Sequence, residues 1–157
     1  MPPSSQPDAS AAVYCGTHGY LVHANSRTAD GVWVAALPAR LLSPDADATG
    51  IGEAVVDALS HRGPTLPSLR PNDYAAVSEP VLRVAGARSW RVLQSSSSLC
   101  NVRASGGSVY VQPTRNGGSS GADRGYHPLV DEIISLAVAD GPSAVGQAVL
   151  DALRRCK

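Results

Sequence analysis

The stretch Gly52-Glu53-Ala54-Val55-Val56-Asp57-Ala58-Leu59 returns near the C-terminus as Gly146-Gln147-Ala148-Val149-Leu150-Asp151-Ala152-Leu153. In both copies small and aliphatic residues recur at helical spacing, so each predicts a helix with one apolar face. Gly63 and Pro64 suit the end of the first helix, and Pro142 suits the first turn of the second. A helix written twice, each time after a predicted strand and an acidic turn, indicates a compact core in which both helices pack on a sheet.

The segments around the two helices predict a sheet that is mostly antiparallel. Ser105-Gly106-Gly107 separates two short runs rich in β-favouring residues, a pattern typical of a hairpin. A short helix is predicted around Trp90, and an irregular connection over residues 64–80, which contains several prolines. The predicted strands cover residues 13–24, 31–37, 99–104, 108–112 and 132–139. The fold class is therefore α+β, with about five strands and two main helices.

Length and composition favour one domain. The chain has 157 residues, of which 43% are hydrophobic and 17% are charged, as in ordinary globular proteins. Residues 1–11 are interpreted as a flexible lead and residues 12–157 as the domain. Three widely spaced cysteines and an N-terminus without the features of a signal peptide favour a soluble cytoplasmic protein.

Motifs for catalysis or metal binding are weak. The G-x-S-x-G pattern at residues 117–121 lies in a Gly/Ser-rich loop, without the strand–turn–helix that a nucleophile elbow needs. Cys15, His18 and His23 resemble a set of metal ligands, but alternation along a strand sends their side chains in different directions. Cys100 and His127 are not placed together by any feature of the sequence. We therefore expect a protein without catalytic activity, metal or cofactor.

One alternative is a nucleic-acid-binding module in residues 83–115. This region contains five arginines and no acidic residue. It also contains two aromatic residues that are able to stack on bases. Against it, the formal net charge of the chain is zero, and neither a basic cluster nor an RNA-binding motif is present. The arginines are Arg83, Arg88, Arg91, Arg103 and Arg115.

The order of short motifs resembles that of a known family. A Gly- and Trp-containing strand precedes the first repeated helix, Ser89-Trp90 and a strand ending Val111-Gln112-Pro113-Thr114 follow it, and the second copy closes the chain. This succession is similar to the CdiI-type immunity proteins of bacterial contact-dependent growth inhibition. The resemblance implies a small cytosolic protein that binds the C-terminal toxin domain of a CdiA-type protein, commonly a nuclease, and blocks its active site.

The matching motifs are apolar scaffold positions, so the resemblance leaves the toxin-binding surface open. Loop residues with charged or aromatic side chains are the candidates, because interfaces favour exposed Tyr and Arg and because acidic groups suit the basic cleft of a nuclease. The candidate toxin-binding residues are Asp73, Tyr74, Glu79, Asp123, Arg124, Tyr126 and His127.

Overall fold

A computed structural model describes residues 8–61 and 65–157. Within them the chain forms a seven-stranded sheet in the order β3-β2-β1-β4-β5-β6, with β7 also paired to β5, and every strand pair is antiparallel. The strands are β1 (Ala9–Gly16), β2 (Gly19–Arg27), β3 (Trp33–Leu42), β4 (Ser98–Ser105), β5 (Ser108–Asn116), β6 (Tyr126–Pro128) and β7 (Ile134–Ala137). The helices are α1 (Ala48–Leu59), α2 (Asp73–Ala85), α3 (Trp90–Ser95) and α4 (Pro142–Arg155). The α+β class is confirmed, with more strands and helices than expected.

The repeated sequence forms α1 and α4, which cross closely on one face of the sheet. A Cβ atom on Gly52 would lie 1.7 Å from the carbonyl oxygen of Pro142, and one on Gly146 would lie 1.6 Å from that of Ala48. These are matching positions of the two copies, so the crossing is nearly symmetric. The repeat therefore encodes one close helix–helix contact, and the aliphatic residues beside the glycines fill the main core against the sheet.

The first predicted strand is in fact a hairpin. Residues 13–24 are predicted as one strand, whereas the chain reverses at Thr17 and His18 between β1 and β2. Gly19, with φ 120°, lies so close to the backbone of Leu42 that a side chain there would clash. Gly16 and Gly19 therefore flank the turn of a hairpin.

The first strand begins inside the segment that is predicted as a lead. β1 begins at Ala9, inside residues 1–11, and Ala9, Ser10 and Ala11 are buried. Their small side chains carry no clear hydrophobic periodicity, which is why the sequence pattern misses them. Residues 1–7 lie outside the described residues, as do Gly63 and Pro64 of the predicted helix stop.

The prediction of an irregular connection over residues 64–80 is wrong in its second half. α2 begins at Asp73 and continues through Pro80 to Gly86, whose φ of 68° ends the helix. The prolines suggested a loop, but burial of Val81 against the sheet compensates for the interior proline. The short helix around Trp90 is confirmed as α3, with Ser89 Oγ accepting the N–H of Val92.

The helices α2 and α3 cover part of the other face of the sheet. They pack on an apolar cross-strand row formed by Leu21, Tyr14 and Leu99, which are neighbours in register on β2, β1 and β4. Trp90 on α3 donates its indole N–H to Ser78 Oγ on α2 at 2.8 Å, which joins the two helices. The next rows of this face carry polar side chains and lie beside α2 and α3, where they form a cleft.

Candidate functional site: a polar cleft on the α2/α3 face

The cleft has a volume of about 460 Å³ and is open to the surface. Its floor is the exposed part of β1, β2, β4 and β5, and its walls come from β3, α2 and α3. A volume of this size fits one or a few side chains of a partner or a small molecule. The lining residues are Ser10, Ala12, Tyr14, His23, Asn25, Trp33, Val34, Ala35, Tyr74, Ser78, Trp90, Gln94, Asn101, Arg103 and Gln112.

Two polar rows cross the floor of the cleft. In the first, Asn101 of β4 lies opposite Gln112 of β5, and Ala12 of β1 lies opposite His23 of β2. In the second, Ser10 of β1 lies opposite Arg103 of β4. Strand alternation sends their intervening neighbours into the main core under α1 and α4. The sheet therefore has one apolar face and one face that changes from apolar to polar.

Hydrogen bonds across the floor leave part of its polar surface free. Asn25 donates its amide N–H to Ser10 Oγ at 2.9 Å. Arg103 donates one guanidinium N–H to Gln112 Oε1 at the long distance of 3.4 Å. Since the carbonyl oxygen of Gln112 is the acceptor, its amide N–H₂ group remains available in the cleft.

His23 is the least satisfied polar residue of the floor. Its side chain is only 3% exposed, and Nδ1 donates to the carbonyl oxygen of Ala24 at 2.8 Å. Nε2 must then be the unprotonated nitrogen, and among the described residues it has no hydrogen-bond partner. Burial lowers the pKa of His23 to about 4, so the ring is neutral at physiological pH.

Aromatic rings surround His23 and form one wall of the cleft. Its ring lies 5.8 Å from that of Tyr14 and 6.0 Å from that of Trp90, measured between centroids. Burial raises the pKa of Tyr14 to about 12, which keeps its hydroxyl protonated. Trp33 and Tyr74 line the cleft on the side of β3 and α2. Aromatic and arginine side chains around a recess are typical of the centre of a protein interface.

The first group of predicted site residues lies on α2. Tyr74 lines the cleft, while Asp73 is exposed in the first turn of the helix. Glu79 forms a 2.8 Å ion pair with Arg83 one turn along α2, and both side chains are largely exposed. The structure thus places Tyr74 in the cleft and leaves the two acids outside its lining.

The second group lies around β6, and much of it is paired internally. Asp123 forms a 2.6 Å ion pair with Arg115. The hydrogen bonds from Arg115 lower the pKa of the Asp123 carboxyl. The same carboxylate lies 3.5 Å from His127 Nε2. Tyr126 donates its hydroxyl to the backbone carbonyl oxygens of Gln94 and Ser97 at 3.0 and 2.8 Å. Arg124 is exposed in the loop before β6.

The arginines of the nucleic-acid alternative lie on α2, the loop after it, α3, β4 and β5.

The thiol of Cys100 is fully buried on the side of the sheet that α1 and α4 cover, and burial raises its pKa. None of the helices in residues 8–61 and 65–157 is both long and apolar enough to cross a membrane.

The sequence of the chain matches a known protein family. The family model described as CdiI, the CDI immunity protein, matches residues 9–156, and the chain belongs to this family. No curated protein sequence matches it significantly.

Two solved structures share the fold. A protein of unknown function from Neisseria meningitidis aligns with a TM-score of 0.71 and 17% identity over 100% of both chains. A toxin and immunity complex, CdiA-CT/CdiI, from Yersinia pseudotuberculosis aligns with a TM-score of 0.68 and 22% identity over 95% of this chain and 97% of that one. At these identities the two structures establish the fold.

Proposed function

We propose that this chain is an immunity protein that binds the C-terminal toxin domain of a cognate CdiA-type protein and neutralises it. Membership of the CdiI family supports this function, and the similar Yersinia chain comes from a complex of toxin and immunity protein. Neutralisation takes place in the cytoplasm by binding alone, without catalysis. The toxin is a nuclease, and the complex covers its active site; these two points rest on the resemblance to the family.

The cleft on the α2/α3 face is the proposed toxin-binding surface. The observation that carries this assignment is the free polar capacity of its floor, above all the guanidinium of Arg103 and the amide N–H₂ group of Gln112. Buried polar groups normally find partners within the fold, because each unpaired group costs about 1–3 kcal/mol. A floor that keeps such groups beside aromatic walls is better suited to a partner than to folding.

The loop residues extend this surface. Tyr74 lies at the wall of the cleft, and Asp73 next to it is exposed and able to meet a basic toxin surface. Glu79, Asp123, Arg124 and His127 stay in the proposal as peripheral contacts around the cleft. Tyr126 belongs to it as a support, since its hydroxyl fixes the backbone at the end of α3.

The test uses the toxin domain encoded beside this chain. Cells that make both proteins should survive, and the two should elute as one complex in size-exclusion chromatography. Tyr74→Ala should weaken binding about tenfold or more, because it removes an aromatic wall of the cleft. The matched control is Asp57→Lys on the exposed side of α1, across the sheet, which should bind like wild type. Killing of cells that contain the wild-type protein, with no complex formed, would refute the proposed function.

A further inference from the structure

Arg103 is the charged group of the cleft. Its side chain is partly buried on β4, and the other lining residues include no Asp, Glu or Lys. The ion pairs among the described residues lie elsewhere and do not include Arg103. Its one hydrogen bond, to Gln112 Oε1, is long at 3.4 Å. The cleft therefore holds a positive charge that is desolvated in part, and no carboxylate of the described residues lies within ion-pair distance of it.

The donors around this charge suit a carboxylate. A guanidinium presents parallel N–H groups that bind both oxygens of a carboxylate. The amide N–H₂ group of Gln112 is free, and the side chain of Asn101 lies next to it in register. A carboxylate lying on Arg103 would accept from the guanidinium and from these amides. Such a group would also neutralise the one charge of the cleft.

A phosphate backbone fits the same charge less well. A nucleic acid needs several cations along a track, whereas Arg83 and Arg115 are already paired with Glu79 and Asp123. The cleft itself supplies one cation, and its volume of about 460 Å³ holds a side chain with its flanking backbone. Charge complementarity therefore favours an acidic protein side chain.

We propose that Arg103 is a specificity-determining residue of this protein and that it binds an Asp or Glu side chain of the cognate toxin within the cleft. This inference rests on the proposed function and specifies its chemistry. The toxin surface that enters the cleft is thus acidic at one point, even if the rest of the interface is basic.

The first experiment measures the affinity of a catalytically inactive toxin domain by calorimetry. Arg103→Gln should raise Kd at least about 30-fold, as expected when one partner of a desolvated charge pair is removed. Arg103→Lys keeps the charge but loses the parallel N–H groups of the guanidinium, and should give an intermediate Kd. Arg154→Gln makes the same charge change on the exposed surface of α4, on the other face of the sheet, and should change Kd less than about twofold.

A second measurement does not depend on how well an Arg103 variant folds. Each surface Asp and Glu of the toxin is changed singly to Asn or Gln and tested against the wild-type protein. One of these changes should weaken binding at least about 30-fold, and its effect should largely disappear in the Arg103→Gln background. The reversed pair, Arg103→Glu with Arg at that toxin position, should recover most of the lost affinity.

The outcomes separate this inference from the proposed function. Unchanged toxin affinity in folded Arg103→Gln, or a toxin scan in which no acidic position couples to Arg103, overturns the inference and leaves the immunity function standing. Binding of a single-stranded RNA that is lost in Arg103→Gln, without an effect on the toxin, also overturns it. Wild-type protein that neither binds nor neutralises the toxin refutes the proposed function itself.

Discussion

At the scale of single residues, His23 combines a cost for folding with a place in the cleft. The folded protein keeps its buried ring neutral down to about pH 4, whereas in the unfolded chain the ring takes up a proton near its ordinary pKa of 6.5. Between these two values the unfolded state binds more protons, so stability falls as the pH is lowered from about 6.5 to about 4. The full difference corresponds to about 3 kcal/mol.

His23→Phe should therefore flatten the dependence of the free energy of unfolding on pH within this window. Phe keeps a ring against Tyr14 and Trp90 and removes both the titration and the unpartnered nitrogen. At pH 5 the variant should be more stable than wild type, as measured by urea unfolding. His18→Gln, at the exposed turn between β1 and β2, is the control and should keep the wild-type slope. If the free energy of unfolding of His23→Phe depended on pH as it does in wild type, His23 would not be the source of this pH dependence.

The polar floor explains why sequence reasoning missed most of the site. Asn101 and Arg103 alternate with the buried Cys100 and Val102, which is the pattern of a strand with one side in water. Whether such a polar side is fully solvated or lies beneath neighbouring helices depends on how α2 and α3 pack on the sheet, which the alternation within one strand does not show. Tyr74 is a candidate from the sequence because an aromatic residue in a presumed loop suggests an interface, and the structure places it in the lining of the cleft.

At the scale of elements, the repeated helices α1 and α4 are the part of the fold that the sequence predicts best, and their close contact with each other is a finding of the structure. The same residues appear at the same helical positions because both helices meet one requirement, a glycine where each crosses the other. α2 could not be predicted in the same way, since its packing on the sheet overrides the local signal of its proline. Local pattern thus predicts the core layer, and tertiary contact decides the layer that forms the cleft.

Gly52→Ala and Gly146→Ala should each destabilise the protein by about 2 kcal/mol or more, because the new Cβ meets a backbone carbonyl and forces the helices apart. Their effects should be less than additive, since one displacement relieves both clashes. The control is Gly50→Ala on the same helix, where the nearest atom is the exposed Asp47 Oδ1 at 3.2 Å. It should change stability by less than about 1 kcal/mol, since a small loss of space is offset by better helix propensity. Equal thermal denaturation of all three variants would show that the crossing tolerates side chains.

At the scale of the whole molecule, two different layers cover the sheet. The α1/α4 layer covers an apolar face and buries the main core, while the α2/α3 layer covers the apolar row and leaves the polar rows open. The net charge of the chain is zero, and ion pairs neutralise Arg83 and Arg115. Such a molecule is suited to recognising one partner through a defined recess, since it has no broad field to attract a polyanion.

The charge balance predicts that the protein does not bind nucleic acids by itself. In 50 mM salt, a labelled single-stranded RNA or DNA of about 20 nucleotides should show no change in fluorescence anisotropy at micromolar protein, because non-specific binding depends on unpaired cations. The double variant Glu79→Gln/Asp123→Asn keeps every arginine and removes the carboxylates that pair with Arg83 and Arg115. It should bind the same RNA more tightly than wild type does, and added salt should abolish that binding. Tight, strongly salt-dependent binding by the wild-type protein would instead support the nucleic-acid alternative.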